Sequence, residues 1–128
     1  MGVEWIRRVC MAFPHATEQV QWGSELVFKI GGKMFAMTPL EPAPVVLSLK
    51  CAPEEFAELT ERLGVIPAPY LARAQWIALE TEDALPRAEI QRLLRRSYDL
   101  VLAKLPQKQQ AALASPPNAK TRKAGNPA

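Results

Sequence analysis

The sequence predicts an α+β fold: a single domain in which an antiparallel sheet carries helices packed on one face, in the order α-β-β-β-α-β-α. Three observations predict it. Leu26-Val-Phe-Lys-Ile-Gly-Gly-Lys-Met-Phe-Ala-Met37 reads as two strands joined across Gly31-Gly32, and a two-residue Gly-Gly loop suits the primed turns whose twist matches paired strands. Val45-Val-Leu-Ser-Leu-Lys50 alternates as a strand does. Residues 86–105 repeat their apolar positions at helical spacing.

Taken in order, Val3, Ile6, Val9 or Cys10, and Phe13 mark a first helix over residues 3–13, which Pro14 stops. A link follows through His15 and Thr17. The hairpin strands span residues 25–30 and 33–38. Its turn places Ile30 opposite Lys33, Phe28 opposite Phe35 and Leu26 opposite Met37 on one face. The other face receives Glu25, Val27, Lys29, Met34, Ala36 and Thr38. Glu41-Pro-Ala-Pro44 is a loop, because its prolines do not serve a central strand. In the next strand Val45, Leu47 and Leu49 point one way, and Val46, Ser48 and Lys50 the other.

A second helix begins at Pro53, with Glu54 and Glu55 in a first turn that favours acids. Its inner stripe is Phe56, Leu59 and Leu63. Gly64 suits its C-terminal cap, and Ala52 supplies no side-chain cap at its start. Residues 65–73 are proline-punctuated and read as irregular. Trp76-Ile-Ala-Leu-Glu80 is a short strand. The last helix, 86–105, turns Ile90, Leu93, Leu94, Ser97, Val101 and Leu105 inward. Arg92, Arg95, Arg96 and Asp99 lie outside, with Arg95 and Asp99 spaced as an i,i+4 pair. The domain therefore occupies residues 1–105. Residues 106–128 read as a flexible basic tail: 107–114 extend a helix weakly, and 115–128 are expected to be disordered.

The chain has 128 residues, as expected for one domain, and no apolar run nears the ~18 residues that span a membrane. Glu4, Arg7 and Arg8 interrupt the apolar start, unlike a signal peptide, so a soluble cytoplasmic protein is expected; a monomer is expected as well. Cys10 and Cys51 make no disulfide framework and are expected to be reduced and buried. The net charge is +3, but from Lys104 onward five basic residues stand without an acid. Residues 1–103 hold eleven basic and thirteen acidic residues, so the body is slightly acidic.

No catalytic constellation is legible. The one histidine is His15, beside Pro14. Ser48 and Ser97 lie on regular elements, not on a nucleophile elbow. Gly31-Gly32 joins two strands, whereas a phosphate cradle opens onto a helix. No His/Cys cluster has zinc spacing, and Glu54, Glu55, Glu58 and Glu61 read as a solvated helix face. No cofactor or metal is expected. The basic residues say more. Lys29 and Lys50 project from the non-core faces of their strands, Lys33 flanks the hairpin turn, and Arg73 precedes Trp76 by three positions. Such a hairpin tip suits a wing that settles on phosphates by charge. The same lysines also serve solubility and discourage edge pairing. Trp76 itself reads as core.

Several stretches resemble the MmcQ/YjbR family of small bacterial proteins. They are Trp22-Gly-Ser-Glu25, Phe28-Lys-Ile-Gly-Gly-Lys-Met-Phe-Ala36, Leu49-Lys-Cys-Ala-Pro-Glu54, Pro69-Tyr-Leu-Ala-Arg-Ala-Gln-Trp76 and Leu94-Arg-Arg-Ser-Tyr-Asp-Leu-Val101. Together they cover about residues 3–105. The resemblance implies a frataxin-like (CyaY-like) fold with a double-wing arrangement, and DNA binding. Ala52 departs from the family's usual capping residue. Ala72, Ala74 and Gln75 stand where many relatives carry Asn, Lys and His, leaving Arg73 as the charge there. Frataxins are associated with iron through acids near their first helix. Here that helix holds only Glu4, so an iron role does not carry over. The expectation is a non-enzymatic DNA-binding protein making phosphate contact through Lys29, Lys33, Lys50 and Arg73. The alternative is a protein-protein interaction module, for which the acidic body and the face of Val27, Met34 and Ala36 speak.

Overall fold

Six antiparallel strands form one sheet in the spatial order β1-β2-β3-β4-β6-β5. The structure, a computed structural model, describes residues 2–114. In chain order the elements are α1 (Val3–Met11), β1 (Thr17–Gln21), β2 (Glu25–Ile30), β3 (Lys33–Pro39), β4 (Leu47–Lys50) and α2 (Pro53–Leu59). Then follow β5 (Val65–Pro67), a 3-10 turn (Ala72–Ala74), β6 (Trp76–Leu79), α3 (Arg87–Ala103) and α4 (Gln107–Leu113). The fold class is the expected α+β, with α3 lying on β2, β3 and β4, α1 on β3 and α3, and α2 on β5 and β6.

Two strands go beyond the expected order. The link after Pro14 contains β1, and the segment read as irregular contains β5. Both are sheet edges, where a polar or proline-ended stretch is tolerated because one row of backbone groups is unpaired. Helix α4 continues the ordered chain past residue 105. Gln109 donates from Nε2 to the Gly31 carbonyl at 3.0 Å, and Leu113 packs against the core. The expectation of disorder over 115–128 lies outside the described residues.

The hairpin register differs from the expected one. Both turn glycines have positive φ, 59° and 81°, and Ile30 pairs with Lys33 as foreseen. A bulge then intervenes. Lys29 faces Met34, but Phe28 faces Ala36, Val27 faces Met37 and Leu26 faces Thr38. Phe35 is the extra residue. A bulge re-aims one side chain without disturbing the rest of the strand. It lets Phe35 and Ala36 both reach the main core, where both are fully buried. Phe35 meets Tyr98 edge-on at 5.6 Å between ring centroids and Phe13 at 6.0 Å. Each such ring contributes on the order of 1.5–3 kcal/mol by its burial.

The bulge also leaves a gap beside β4, whose ladder with β3 has only the pairs Ala36–Leu49 and Met37–Ser48. Ser97 of α3 fills it. Its hydroxyl donates to the Phe35 carbonyl at 2.6 Å and accepts from the Lys50 N–H at 3.0 Å. A buried serine thus replaces a rung of the sheet, satisfying two backbone groups that burial would otherwise penalise.

Two further expectations are corrected. Leu47 and Leu49 face the main core, but Val45 packs on the opposite side and Val46 on the core side. The chain bends before β4: Val46 donates its N–H to the Leu79 carbonyl and accepts the Thr38 hydroxyl at 2.9 Å. Leu63 is 97% exposed rather than part of the inner stripe of α2. The helix ends at Leu59, Thr60 returns its hydroxyl to the Phe56 carbonyl, and the helical period no longer applies three residues later. Ala52 provides no side-chain cap, and the Glu55 carboxylate instead takes its N–H at 3.4 Å.

The sheet's other face carries a smaller cluster of Ala68, Trp76 and Ala78, flanked by Met34, Met37, Val45, Ile66 and Leu71. Trp76 is core, as its size suggests.

Candidate functional site

Where β4 ends, the hairpin turns and α3 stops, three lysines converge. Lys33 begins β3 directly after the glycine turn, Lys50 ends β4, and Lys104 caps the C-terminus of α3. A cation at a helix C-terminus also complements the helix dipole. These three line a shallow depression of about 370 Å³. Its remaining wall is Met34, Leu71, Trp76, Val101, Leu105 and the Ala74 backbone region. Among the described residues, no acidic side chain lines it. The cavity of about 210 Å³ beside α1 contrasts with it, since Glu41 and Glu82 stand in its wall.

Local structure explains the convergence. Lys50 pairs with Trp76 across β4 and β6, so its side chain leaves the sheet beside the indole. Its ammonium donates to the Ala74 carbonyl at 2.6 Å, on the 3-10 turn. The Ser97 rung holds the Lys50 backbone. Gln109 and Leu105 press on Gly31 and hold the hairpin tip that carries Lys33. The Lys50 pKa is depressed, first by burial and then by the neighbouring Lys104 charge. An anion in the depression would offset both penalties.

Of the four residues expected to act, Lys33 and Lys50 are brought together. Arg73 is exposed on the 3-10 turn, next to the residue that holds Lys50. Lys29 does not line the depression, and its ammonium donates to the Gln19 side chain of β1 at 3.0 Å. Lys104 is the addition. In the sequence its charge counts with the basic run from Lys104 onward, yet Leu105 beside it belongs to the buried stripe. That stripe is the signal that places Lys104 on the folded surface. The apolar face of Val27, Met34 and Ala36 is not presented as a patch, since Val27 and Ala36 are fully buried and Ala36 faces the main core.

Other candidate groups have structural places. Ser48 is buried on the second face opposite Met37 and Ala78. His15 lies in the turn after α1 with φ of 62°. Burial pushes the Cys51 thiol up to about 12 and raises that of Cys10 as well, so neither is a ready thiolate. Among the described residues no three His, Cys, Asp or Glu side chains group as metal ligands would. No helix there is long and apolar enough to cross a membrane.

Comparison with known proteins agrees with this architecture. The family model YjbR matches residues 11–100. The uncharacterized protein YjbR of Escherichia coli K12 is 31% identical over 118 residues, covering 88% of this chain and 98% of that protein. A crystal structure of Deinococcus radiodurans protein DR2400, with a DUF419 domain, superposes with a TM-score of 0.81 at 31% identity, over 91% of this chain and 90% of that one. A Pseudomonas syringae protein shares the fold, with a TM-score of 0.64 at 21% identity, over 79% of this chain and 99% of that one.

Proposed function

We propose, from the premise that this chain belongs to the YjbR family, that it is a non-enzymatic, monomeric DNA-binding protein. Phosphate contact comes from Lys33, Lys50 and Lys104, with Arg73 at the flank and Lys29 further along the hairpin. One observation carries the reading: three lysines surround one depression that no carboxylate among the described residues lines. Like charges gathered at a surface cost free energy unless an anion joins them. The β2–β3 hairpin acts as a wing whose tip, stiffened by Gln109, brings Lys33 to the backbone. Contacts of this kind position a protein on nucleic acid without reading sequence.

Fluorescence anisotropy with labelled duplex DNA, over a salt series, tests the proposal. The full chain is compared with the Lys33→Glu/Lys104→Glu double variant and with a variant carrying Gln at Lys120, Arg122 and Lys123. The double variant is expected to lose at least tenfold in affinity, with a salt slope shallower by about two. Loss only in the tail variant would remove the site from the explanation.

A second reading, a protein-interaction module, is favoured by the β1 edge, where Val20 and Trp22 are 53% and 65% exposed. An unpaired edge beside apolar side chains suits strand addition by a partner. A partner recovered after nuclease treatment, and lost in Trp22→Ser, would support it.

A further inference from the structure

The lysines explain an attraction to phosphate but not the wall between them. Met34, Leu71 and Trp76 make that wall apolar, which a phosphate backbone alone does not use. Tyr70 immediately precedes Leu71 and is completely exposed (104%). Its φ is 66°, a left-handed conformation that is unfavourable for a large side chain. The 3-10 turn that follows holds Lys50 through the Ala74 carbonyl. An aromatic ring is therefore displayed on the loop that builds the basic site.

We infer that the site takes an unpaired nucleotide: phosphate on Lys33, Lys50 and Lys104, its base against the Leu71–Trp76 wall, and a neighbouring base on the Tyr70 ring. This rests on the phosphate reading above and deepens it. Lysines beside an aromatic platform are the general chemistry of single-strand recognition, because every base has a stacking face. A base in a duplex must first be unstacked and unpaired to reach such a wall, whereas a single strand offers it at little cost. The ligand class is a nucleotide, either free or within a single strand.

Anisotropy on the full chain separates these. The probes are a labelled 20-nucleotide single strand, the same strand annealed to its complement, and a strand of the same length made of abasic units. Thymidine monophosphate serves as unlabelled competitor. The single strand is expected to bind about tenfold tighter than either the duplex or the abasic strand. Tyr70→Asn keeps a residue that tolerates positive φ, and it should lower single-strand affinity severalfold while leaving the duplex unchanged. Tyr70→Phe should restore it. Displacement by the mononucleotide near the strand's own dissociation constant would assign the site to free nucleotide; displacement only at far higher concentration would assign it to the strand. Equal affinity for all three probes, unmoved by Tyr70→Asn, would overturn the inference and leave the phosphate reading standing. If the Lys33→Glu/Lys104→Glu variant also binds all three as wild type does, both fall together.

Discussion

Two basic regions, the exposed ridge of α3 and the depression at its C-terminal end, differ in what their charges face. Along the exposed ridge of α3, arginines meet carboxylates. Arg96 reaches Glu55 at 3.1 Å, Arg92 lies 3.7 Å from both Glu55 and Glu89, and Arg95 pairs with Asp99 at 3.2 Å. Arg62 joins Glu89 at 2.8 Å. Around the depression, by contrast, no ion pair among the described residues involves Lys33, Lys50 or Lys104, and Arg73 has none either. Exposed pairs like those of the ridge add little stability, but they neutralise charge that a ligand would otherwise meet. A cluster of basic letters is therefore a poor guide to an anion site until the carboxylates brought by other elements are counted.

The largest expected effect bears on the serine that links the two regions. Ser97→Ala leaves the Phe35 carbonyl and the Lys50 N–H unpaired in a buried gap. It should destabilise the fold by about 2–3 kcal/mol in chemical denaturation, and loosen the end of β4 that carries Lys50. Retained stability would mean the β3–β4 gap closes without it. Next comes the hairpin tip. A Cβ on Gly31 would stand 2.5 Å from Leu105 and 2.7 Å from Gln109, whereas Gly32 has open space around it. Gly31→Ala should cost about 2 kcal/mol and Gly32→Ala about 1 kcal/mol, the latter from positive φ alone. Equal costs would show that α4 yields freely and does not brace the hairpin tip.

The ridge supplies the control for binding. Arg92→Gln and Arg95→Gln should each change duplex affinity less than twofold in the same anisotropy titration, because their charges already have partners. A tenfold loss there would reverse the comparison. The smallest effect concerns acid stability. Arg7 holds the Glu18 carboxyl below its ordinary range, chiefly by hydrogen bonding. Stability from a depressed carboxyl is present above its unfolded pKa and is lost as pH falls through the folded one. Glu18→Gln should therefore flatten the fall in stability between about pH 5 and pH 3, an effect that added salt weakens. Glu25 works the other way: burial raises its pKa, so its ionised form is penalised and acidification relieves it.

Legibility in the sequence follows the same physical divide. The Gly-Gly turn, the stripe of α3 and the start of α2 were readable because each depends on neighbours within a few residues. Strand β1, Thr-Glu-Gln-Val-Gln, has no apolar alternation to read, since as an edge its side chains stay largely exposed. Strand β5 is three residues long and ends in proline. The bulge at Phe35 left no local mark either. Lys29 and Lys33 both belong to the set expected to contact phosphate, yet one is tied to Gln19 and the other rims the depression.

By itself, then, the sequence determined the α+β class, the family and the elements that carry a local pattern (α1, the β2–β3 hairpin, β4, the start of α2, β6 and α3), because periodicity and turn glycines are short-range properties. Only the tertiary structure decided the hairpin register and which lysines come together. The register answers to the space that Tyr98 and Phe13 leave for Phe35. The lysine site answers to three chain segments far apart in sequence, at residues 33, 50 and 104, that meet because Ser97 and Gln109 fasten α3 and α4 to the sheet.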